Sequence, residues 1–219
     1  THYNEKDDIA IIGFDGKFAS TDSIDELWKQ LACGADLIQK VPADRWDNDK
    51  YYSENAGQAA EGKYYCQNAG FLNVVNEFDP LFFHISPKEA ELMDPQERML
   101  LEMAWNTVEK AGYNKESIKR VLENEVGVFV GVTTHTYNLI GAEELYKGNS
   151  DIAKSESWSI ANRISYFMNW KGPSLAVDTA CSSSLTALHY ACKSLQEKES
   201  KMVFVGSANL YLHPAKFIY

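Results

Sequence analysis

The segment between residues 174 and 206 constrains the fold more than any other, because two short apolar runs flank one helical pattern. Ser174–Asp178 and Met202–Gly206 have the length and apolar content that are typical of buried strands. Between them, apolar residues recur at helical steps of three, four and three: Leu185, Leu188, Cys192 and Leu195. Two strands joined in this way form a parallel, right-handed βαβ unit. The pattern therefore predicts an α/β domain with a mostly parallel sheet covered by helices.

Further strands and helices are predicted upstream of this unit. Ile9–Ile12 and Val126–Gly131 are continuous apolar runs, which indicates strands covered on both faces. Three capping boxes, each with a glutamate three residues after the capping residue, predict helix starts at Ser23, Ser86 and Asp94. Gly112 predicts the end of the helix that follows Asp94.

Between Asp36 and Phe83 the periodicity fades, and aromatic residues stand among glycine, asparagine and aspartate. Long irregular segments in compact domains are usually functional or interface loops. The aromatic content predicts that this segment is ordered and packed against the domain rather than loose.

Composition excludes several classes of function. The 219 residues include 21 Lys and Arg against 31 Asp and Glu, a net charge of −10, which argues against a nucleic-acid partner. No apolar run reaches the roughly 18 to 20 residues that a membrane span needs, and the polar start resembles no signal peptide. Four scattered cysteines fit a reducing cytoplasm. The chain does not begin with Met, so we expect it to be part of a longer protein.

Asp178–Ser184 is the strongest candidate for chemistry, because it places Cys181 among small residues where a strand ends and a helix begins. Small side chains permit a sharp turn, and the amide N–H groups and dipole of the helix N-terminus stabilise a thiolate. The same N–H groups can hold an oxyanion. The junction resembles a nucleophile elbow without its flanking glycines. A buried structural cysteine beside a serine-rich helix cap is the alternative, and burial as a small hydrophobic residue is the ordinary expectation for every cysteine here.

The glycine motifs and the histidines are weaker candidates for a functional site than Cys181. Gly127–Gly131 and Gly13–Gly16 match neither the dinucleotide fingerprint nor the P-loop, and glycines at strand ends explain them better. The histidines are scattered, and none groups with cysteine at metal-ligand spacing. His189 lies two helical turns from Cys181, too far to act directly as its base from the same helix.

The Cys181 segment, Asp178-Thr-Ala-Cys-Ser-Ser-Ser-Leu185, resembles the active-site motif of β-ketoacyl synthase domains in modular polyketide synthases. Other family motifs follow in order along essentially the whole chain: Ile9–Gly13, Val41–Trp46, Phe78–Phe83, Ile85–Ala90, Met93–Gln96, Ala161–Tyr166 and Gly172–Ser174. Ala19 and Gly206–Asn209 depart slightly from the family pattern. The stretch from Gly62 to Phe71 resembles synthases whose acyltransferase is a separate protein.

The resemblance implies a thiolase-like fold, two related halves in αβαβα layers, of which this chain is mostly the first. We expect residues 1–8 to be a linker remnant and residues 9–219 the N-terminal part of the ketosynthase domain. The implied reaction extends a polyketide by decarboxylative Claisen condensation of an acyl chain on Cys181 with a malonyl-type extender.

The resemblance implies acyl carrier protein, which brings substrates on phosphopantetheine, as a partner, and no directly bound cofactor or metal. It further implies a homodimer, with the strand Ser174–Asp178 near the two-fold interface, and other modules of a multidomain synthase. The family's catalytic histidines, a lysine and a second oxyanion donor belong to the second half, so we expect residues 1–219 alone to be inactive. Two alternatives remain: a non-elongating or scaffolding ketosynthase-like domain, and a cysteine acyltransferase or hydrolase.

Overall fold

The computed structural model describes residues 8–218. The helices are α1 (Ile24–Ala32), α2 (Asn48–Tyr51), α3 (Pro87–Leu92), α4 (Pro95–Lys110), α5 (Lys115–Leu122), α6 (Tyr137–Tyr146), α7 (Ser157–Met168) and α8 (Ser183–Gln196). The strands are β1 (Gln39–Lys40), β2 (Asn68–Ala69), β3 (Val126–Gly131), β4 (Ser174–Val177) and β5 (Met202–Ser207). Two 3₁₀ helices cover Ala56–Glu61 and Pro214–Phe217. The linker expected at residues 1–8 lies, apart from Asp8, outside the described residues.

The main sheet has three parallel strands in the order β4-β3-β5, and a small antiparallel pair joins β1 to β2. Val128 of β3 pairs with Ser174 of β4 and with Phe204 of β5. The chain leaves β4, passes through α8 and returns in β5 on the other side of β3. The predicted parallel βαβ unit is therefore confirmed, with β3 inserted between its two strands.

Helices cover both faces of this sheet. Val128 and Val130 pack into the core beneath α4 and α7, whereas Phe129, which points to the opposite face, packs against Ala187 and Ala191 of α8. Every residue of β3 is buried. This three-layer order, helix on sheet on helix, places the carboxyl ends of β3, β4 and β5 along one edge.

The prediction of a strand at Ile9–Ile12 is wrong. The segment forms no strand, and Ile11 is 84% exposed. A strand needs inter-strand hydrogen bonds on at least one side, and within residues 8–218 no strand pairs with this segment. Gly13 instead lies against the end of α4, where an added Cβ would come within 2.9 Å of the Ala111 Cβ.

Within residues 8–218, β3 is covered on both faces, whereas β4 and β5 are only partly covered. β4 is partly exposed along its length, and Leu175 is 48% exposed. β5 is only half-buried. Each of these two strands has one edge without a neighbouring strand among the described residues.

The helix predicted from the leucine stripe is confirmed as α8, but its buried face is a different one. Leu185 is 71% exposed, while the face that meets the sheet consists of small residues: Ser183, Ala187, Ala191 and Ser194. Small side chains let the helix approach the sheet closely, and the larger leucines point away from it.

The irregular segment is ordered, as its aromatic content predicts. Tyr64 and Phe71 are buried, and Trp46 is half-buried and donates a 2.8 Å hydrogen bond to the Tyr64 hydroxyl. Tyr65 is an exception and is exposed. Within the part of the chain that the structure describes, no helix is long and apolar enough to cross a membrane.

Candidate active site

Cys181 lies two residues before α8, in the tight turn that connects β4 to the helix. Ala180 has φ 53°, a left-handed conformation that few residues other than glycine adopt. The Ala180 N–H donates to Asp178 Oδ1 (3.1 Å), and the Ser183 N–H donates to the Ala180 carbonyl (3.1 Å). The Cys181 side chain is exposed. The position predicted for this residue is confirmed, and its chemical role remains a prediction.

Gly131, the last residue of β3, lets the N-terminus of α8 come close to the sheet. An added Cβ at this position would lie 2.7 Å from the Ser183 carbonyl carbon and 2.8 Å from the Ser184 nitrogen. Both are backbone atoms that cannot move independently of the helix. The absence of a side chain at Gly131 thus determines where the turn with Cys181 can sit.

The first turn of α8 retains free hydrogen-bond donors. The Ser182 hydroxyl, in the capping position, donates to the Thr179 carbonyl (2.7 Å) instead of accepting from the helix. Among the described residues, the N–H groups of Ser184 and Leu185 have no hydrogen-bond acceptor. Unpaired N–H groups beside a nucleophile can stabilise an oxyanion.

Cys181 opens into a large cleft of about 2080 Å³ along the carboxyl edge of the sheet. The segment around Ile11, the exposed side of α8 at Leu188 and the outer side of β5 at Val205 all contribute to its walls. On the Cys181 side the cleft is also lined by polar residues from three loops: Thr133, Thr134, Asp178, Asn209 and Lys216.

Lys216 bridges two of these loops. Its Nζ donates to the Asn209 Oδ1 (2.7 Å) and to the Thr134 Oγ1. Burial lowers the pKa of Lys216, and interaction with the charge of Cys181 acts in the opposite direction. Sequence reasoning missed this lysine, because no local motif marks it and its neighbours in the fold are distant in the chain.

Gln96 of the Met93–Gln96 motif forms hydrogen bonds with the loops that follow β3 and β5. Gln96, which is buried, donates to the Thr134 carbonyl (2.8 Å) and accepts from the Leu210 N–H (3.2 Å). Its own backbone N–H donates to the buried Asp94 carboxylate (2.8 Å). A single side chain therefore holds together the loop after β3 and the loop after β5.

The histidines in the described part of the chain do not line the cleft. His135 exchanges hydrogen bonds with Ser155 (2.8 Å) and Ser157 (2.7 Å), and His213 lies 3.1 Å from Glu143. His189 is exposed on α8. These positions agree with the prediction of packed or surface histidines, and His2 lies outside the described residues.

The expectation that each cysteine is buried is wrong. Cys33, Cys66 and Cys181 are exposed, and Cys192 is half-buried on α8. Within residues 8–218, Cys181 is therefore not buried. The other three lie on helix or loop surfaces.

The family model described as "Beta-ketoacyl synthase, N-terminal domain" matches residues 6–219. The fold is thus the N-terminal half of a thiolase-like domain, and the chain belongs to the β-ketoacyl synthase family.

Its relatives are polyketide synthases. The chain is 48% identical over 218 residues to Polyketide synthase PksL of Bacillus subtilis strain 168 and 46% identical over 217 residues to PksM of the same organism. These alignments cover 98% and 97% of this chain, but 5% of each relative.

A solved ketosynthase domain, OzmH KS7 of the oxazolomycin system of Streptomyces albus JA3453, is 40% identical with a TM-score of 0.89. The ketosynthase from module 6 of the bacillaene synthase of Bacillus subtilis 168 is 37% identical with a TM-score of 0.80. Each match covers 95% of this chain, and the chain spans about a third of each solved chain, 35% and 33%.

Proposed function

We propose that the complete domain extends a polyketide chain by decarboxylative Claisen condensation, with Cys181 as the acyl acceptor. The observation that carries the proposal is the β4–α8 junction. It presents an exposed thiol on the wall of the cleft, beside the N–H groups of Ser184 and Leu185, which have no acceptor within residues 8–218. Membership of the β-ketoacyl synthase family supports the same chemistry.

In the first step the Cys181 thiolate attacks the carbonyl carbon of an acyl thioester carried on phosphopantetheine. The tetrahedral oxyanion accepts hydrogen bonds from the first turn of α8, and the phosphopantetheine thiolate leaves with the electron pair. In the second step the malonyl-type extender loses carbon dioxide, and its enolate attacks the acyl-Cys181 thioester. Cys181 departs as a thiolate, so the residue is regenerated. We assign the groups that stabilise the enolate to the second half of the domain.

The proposed partners follow from the same chemistry. Acyl carrier protein delivers both thioesters, and other modules of the synthase supply and receive the chain. The named relatives are polyketide synthases many times longer than this chain, which supports a multidomain context. The subtype with a separate acyltransferase rests on the stretch from Gly62 to Phe71. Residues 9–219 form the N-terminal part of the domain in this proposal, and no diffusible cofactor takes part.

A homodimer is also part of the proposal. β4 is an edge strand, and no strand pairs with its outer side within residues 8–218. Leu175 on this strand is about half exposed. An exposed apolar edge strand invites pairing with another chain. This arrangement fits the two-fold contact that the family resemblance places near Ser174–Asp178.

Cys181→Ala in the complete domain tests the function. We expect the variant to accept no acyl group from an acyl carrier protein donor, while its unfolding free energy changes by about 1 kcal/mol or less. Intact-protein mass spectrometry measures the acyl increment, and calorimetry measures the stability. The wild-type domain, given both acyl donor and malonyl carrier protein, should form a carrier-bound β-ketoacyl product two carbons longer. Acylation of the variant at the wild-type level would refute the role of Cys181, and transfer or hydrolysis without elongation would refute condensation.

A further inference from the structure

The turn that carries Cys181 contains a backbone conformation that its residue type disfavours. Ala180 has φ 53°, and in this left-handed region the Cβ of any residue other than glycine comes close to the following carbonyl oxygen. Such a conformation persists only where the surrounding structure holds it. Burial does not supply this support, because Asp178, Thr179 and Ala180 are all exposed.

Ser183 forms hydrogen bonds on both sides of this conformation. Its hydroxyl accepts from the Thr179 N–H (2.9 Å) and donates to the Ala180 carbonyl (2.7 Å). The two bonds meet at one oxygen atom, and the backbone angles of Thr179 and Ala180 lie between them. Among the described residues, the Thr179 N–H has no other acceptor. One side chain thus fixes the stretch of backbone that leads directly into Cys181.

The Ser183 hydroxyl is itself held in place. Ser183 is the first residue of α8 and is 4% exposed. Its backbone lies against the end of β3, where an added Cβ on Gly131 would come within 2.7 Å of the Ser183 carbonyl carbon. The other hydroxyl groups of the turn belong to exposed residues, Thr179 and Ser182. The turn is therefore bonded to a group whose position the sheet and the helix determine.

We propose that Ser183 is a positioning residue for the nucleophile, and that its hydroxyl holds Ala180 in the left-handed conformation that places the Cys181 thiol at the cleft beside the first turn of α8. The proposal rests on the proposed function, since it takes the Cys181 thiol to be the acyl acceptor. Without this hydroxyl, the exposed turn bonds to water instead, and Ala180 relaxes toward a right-handed conformation. The thiol then leaves its place at the helix N-terminus. Ser183 acts through Ala180 and transfers no proton.

The test compares Ser183→Ala with Ser194→Ala in the complete domain. Ser194 lies on the same buried face of α8, about three helical turns farther along, and its hydroxyl bonds to the Ser200 hydroxyl (2.9 Å). Both substitutions remove one buried hydroxyl from the same helix, but only Ser183 contacts the turn. Two rates are measured by mass spectrometry at Cys181: acylation by hexanoyl-N-acetylcysteamine over a range of concentrations, and alkylation by iodoacetamide. Calorimetry measures the stability of each variant.

We expect Ser183→Ala to lower the acylation rate at saturating thioester about 10-fold or more, with little change in the concentration that gives half the maximal rate. Alkylation near neutral pH should also slow, because the thiolate loses the favourable field of the helix N-terminus. Ser194→Ala should lose a similar amount of stability and keep both rates.

A second substitution, at position 180, separates positioning from stability. Glycine adopts the left-handed conformation without a Cβ penalty, so Ala180→Gly in the Ser183→Ala background should recover about 3-fold or more of the lost acylation rate. A general loss of stability would not be reversed in this way, because glycine restores none of the hydrogen bonds. If Ser183→Ala alone does not fold, the double variant is compared with Ala180→Gly alone and should again be the slower of the two.

Acylation of Ser183→Ala at the wild-type rate overturns the proposal, as does a double variant no slower than Ala180→Gly alone. Equal losses of rate in Ser183→Ala and Ser194→Ala also overturn it, because they indicate an effect of stability only. A double variant as slow as Ser183→Ala refutes the part assigned to Ala180. Failure of the proposed function looks different: wild-type Cys181 would accept no acyl group, while alkylation would still report the effect of Ser183 on the thiol.

Discussion

At the scale of single residues, the surroundings of the four thiols differ in a way that determines their reactivity. The Cys33 Sγ donates to the Gln30 carbonyl (3.3 Å), and the Cys66 Sγ donates to the Asn68 carbonyl (3.6 Å). Each of these two thiols is thus engaged with a backbone carbonyl oxygen. Cys181 instead stands before the N-terminus of a helix.

Limiting iodoacetamide should therefore label Cys181 before the other three cysteines in the folded complete domain. The thiolate is the reactive form, and the helix N-terminus favours it. Peptide mapping by mass spectrometry gives the order of labelling, and unfolded protein, in which the four thiols should react alike, is the control. Earlier labelling of Cys33 or Cys66 in the folded protein would contradict the prediction.

Gly131→Ala should displace the active-site turn. The new Cβ would lie 2.7 Å from the Ser183 carbonyl carbon, so α8 has to move, and we expect a loss of about 1–3 kcal/mol in unfolding free energy together with a marked fall in acylation of Cys181. Calorimetry and mass spectrometry provide the two measurements.

Gly34→Ala is the matched control for this substitution. Gly34 has φ 69° and no atom within 4 Å of an added Cβ, so it should lose about 1 kcal/mol from backbone strain alone and keep normal acylation. Equal acylation in the two variants would show that the close approach at Gly131 does not position the turn.

The residues of the site differ in how far sequence can predict them. Cys181 is found by its neighbours in the chain, because a strand end, small residues and a helix start are local features. Lys216 and Gln96 act through Thr134, Asn209 and Leu210, which reach them only after the sheet has formed. Periodicity and spacing in the sequence do not predict contacts between residues that are distant in the chain. The hydrogen bonds of Lys216 and Gln96 could therefore be found only in the structure.

At the scale of elements, the period of the apolar residues predicts helices and strands well but does not determine which face is buried. α8 was predicted from its leucines, yet the sheet contacts Ala187 and Ala191. The leucines have helical spacing in either case. The strand expected at Ile9–Ile12 failed for a related reason, since apolar content does not guarantee a neighbouring strand.

For the helix caps, sequence predicts the position of the capping residue but not the partners of the neighbouring side chains. Ser23, Ser86 and Asp94 each cap their helices with the side chain, as predicted. Their glutamates, however, do not return the bond to the capping residue: Glu26 accepts from the Asp22 N–H, and the other two pair with Arg163. Asn114 and Ser117, for which no cap was predicted, form a complete capping box.

Ala187→Leu should destabilise the domain by about 1–3 kcal/mol, because the larger side chain would be forced between α8 and Phe129 of β3. Lys193→Leu, which introduces the same residue on the exposed side of the same helix, should stay within about 0.5 kcal/mol of wild type. Denaturant unfolding of the complete domain gives both values. Similar losses in the two variants would mean that the buried face of α8 has been assigned incorrectly.

At the scale of the whole molecule, part of the exposed apolar surface lines the cleft. Its walls include Ile11, Phe14 and Leu188, all exposed. The free side of β5 has no neighbouring strand in residues 8–218. Soluble monomers rarely expose apolar patches of this kind, which usually mark the contact surface of another domain or subunit. The chain spans about a third of the solved ketosynthases, so we expect the rest of such a domain to pack against these apolar residues.

Residues 1–219 expressed alone should therefore self-associate or precipitate, and should form no extended product. Association follows from the exposed Leu185 and Leu188 and from the free edges of β4 and β5, which offer apolar surface and unpaired backbone groups to other copies. Inactivity follows separately, because no described histidine lines the cleft beside Cys181. Light scattering gives the association state, and product mass spectrometry gives the activity, with the complete domain as the control. A monodisperse, folded monomer would refute the burial argument, and extended product from it would also refute the assignment of enolate stabilisation to the second half.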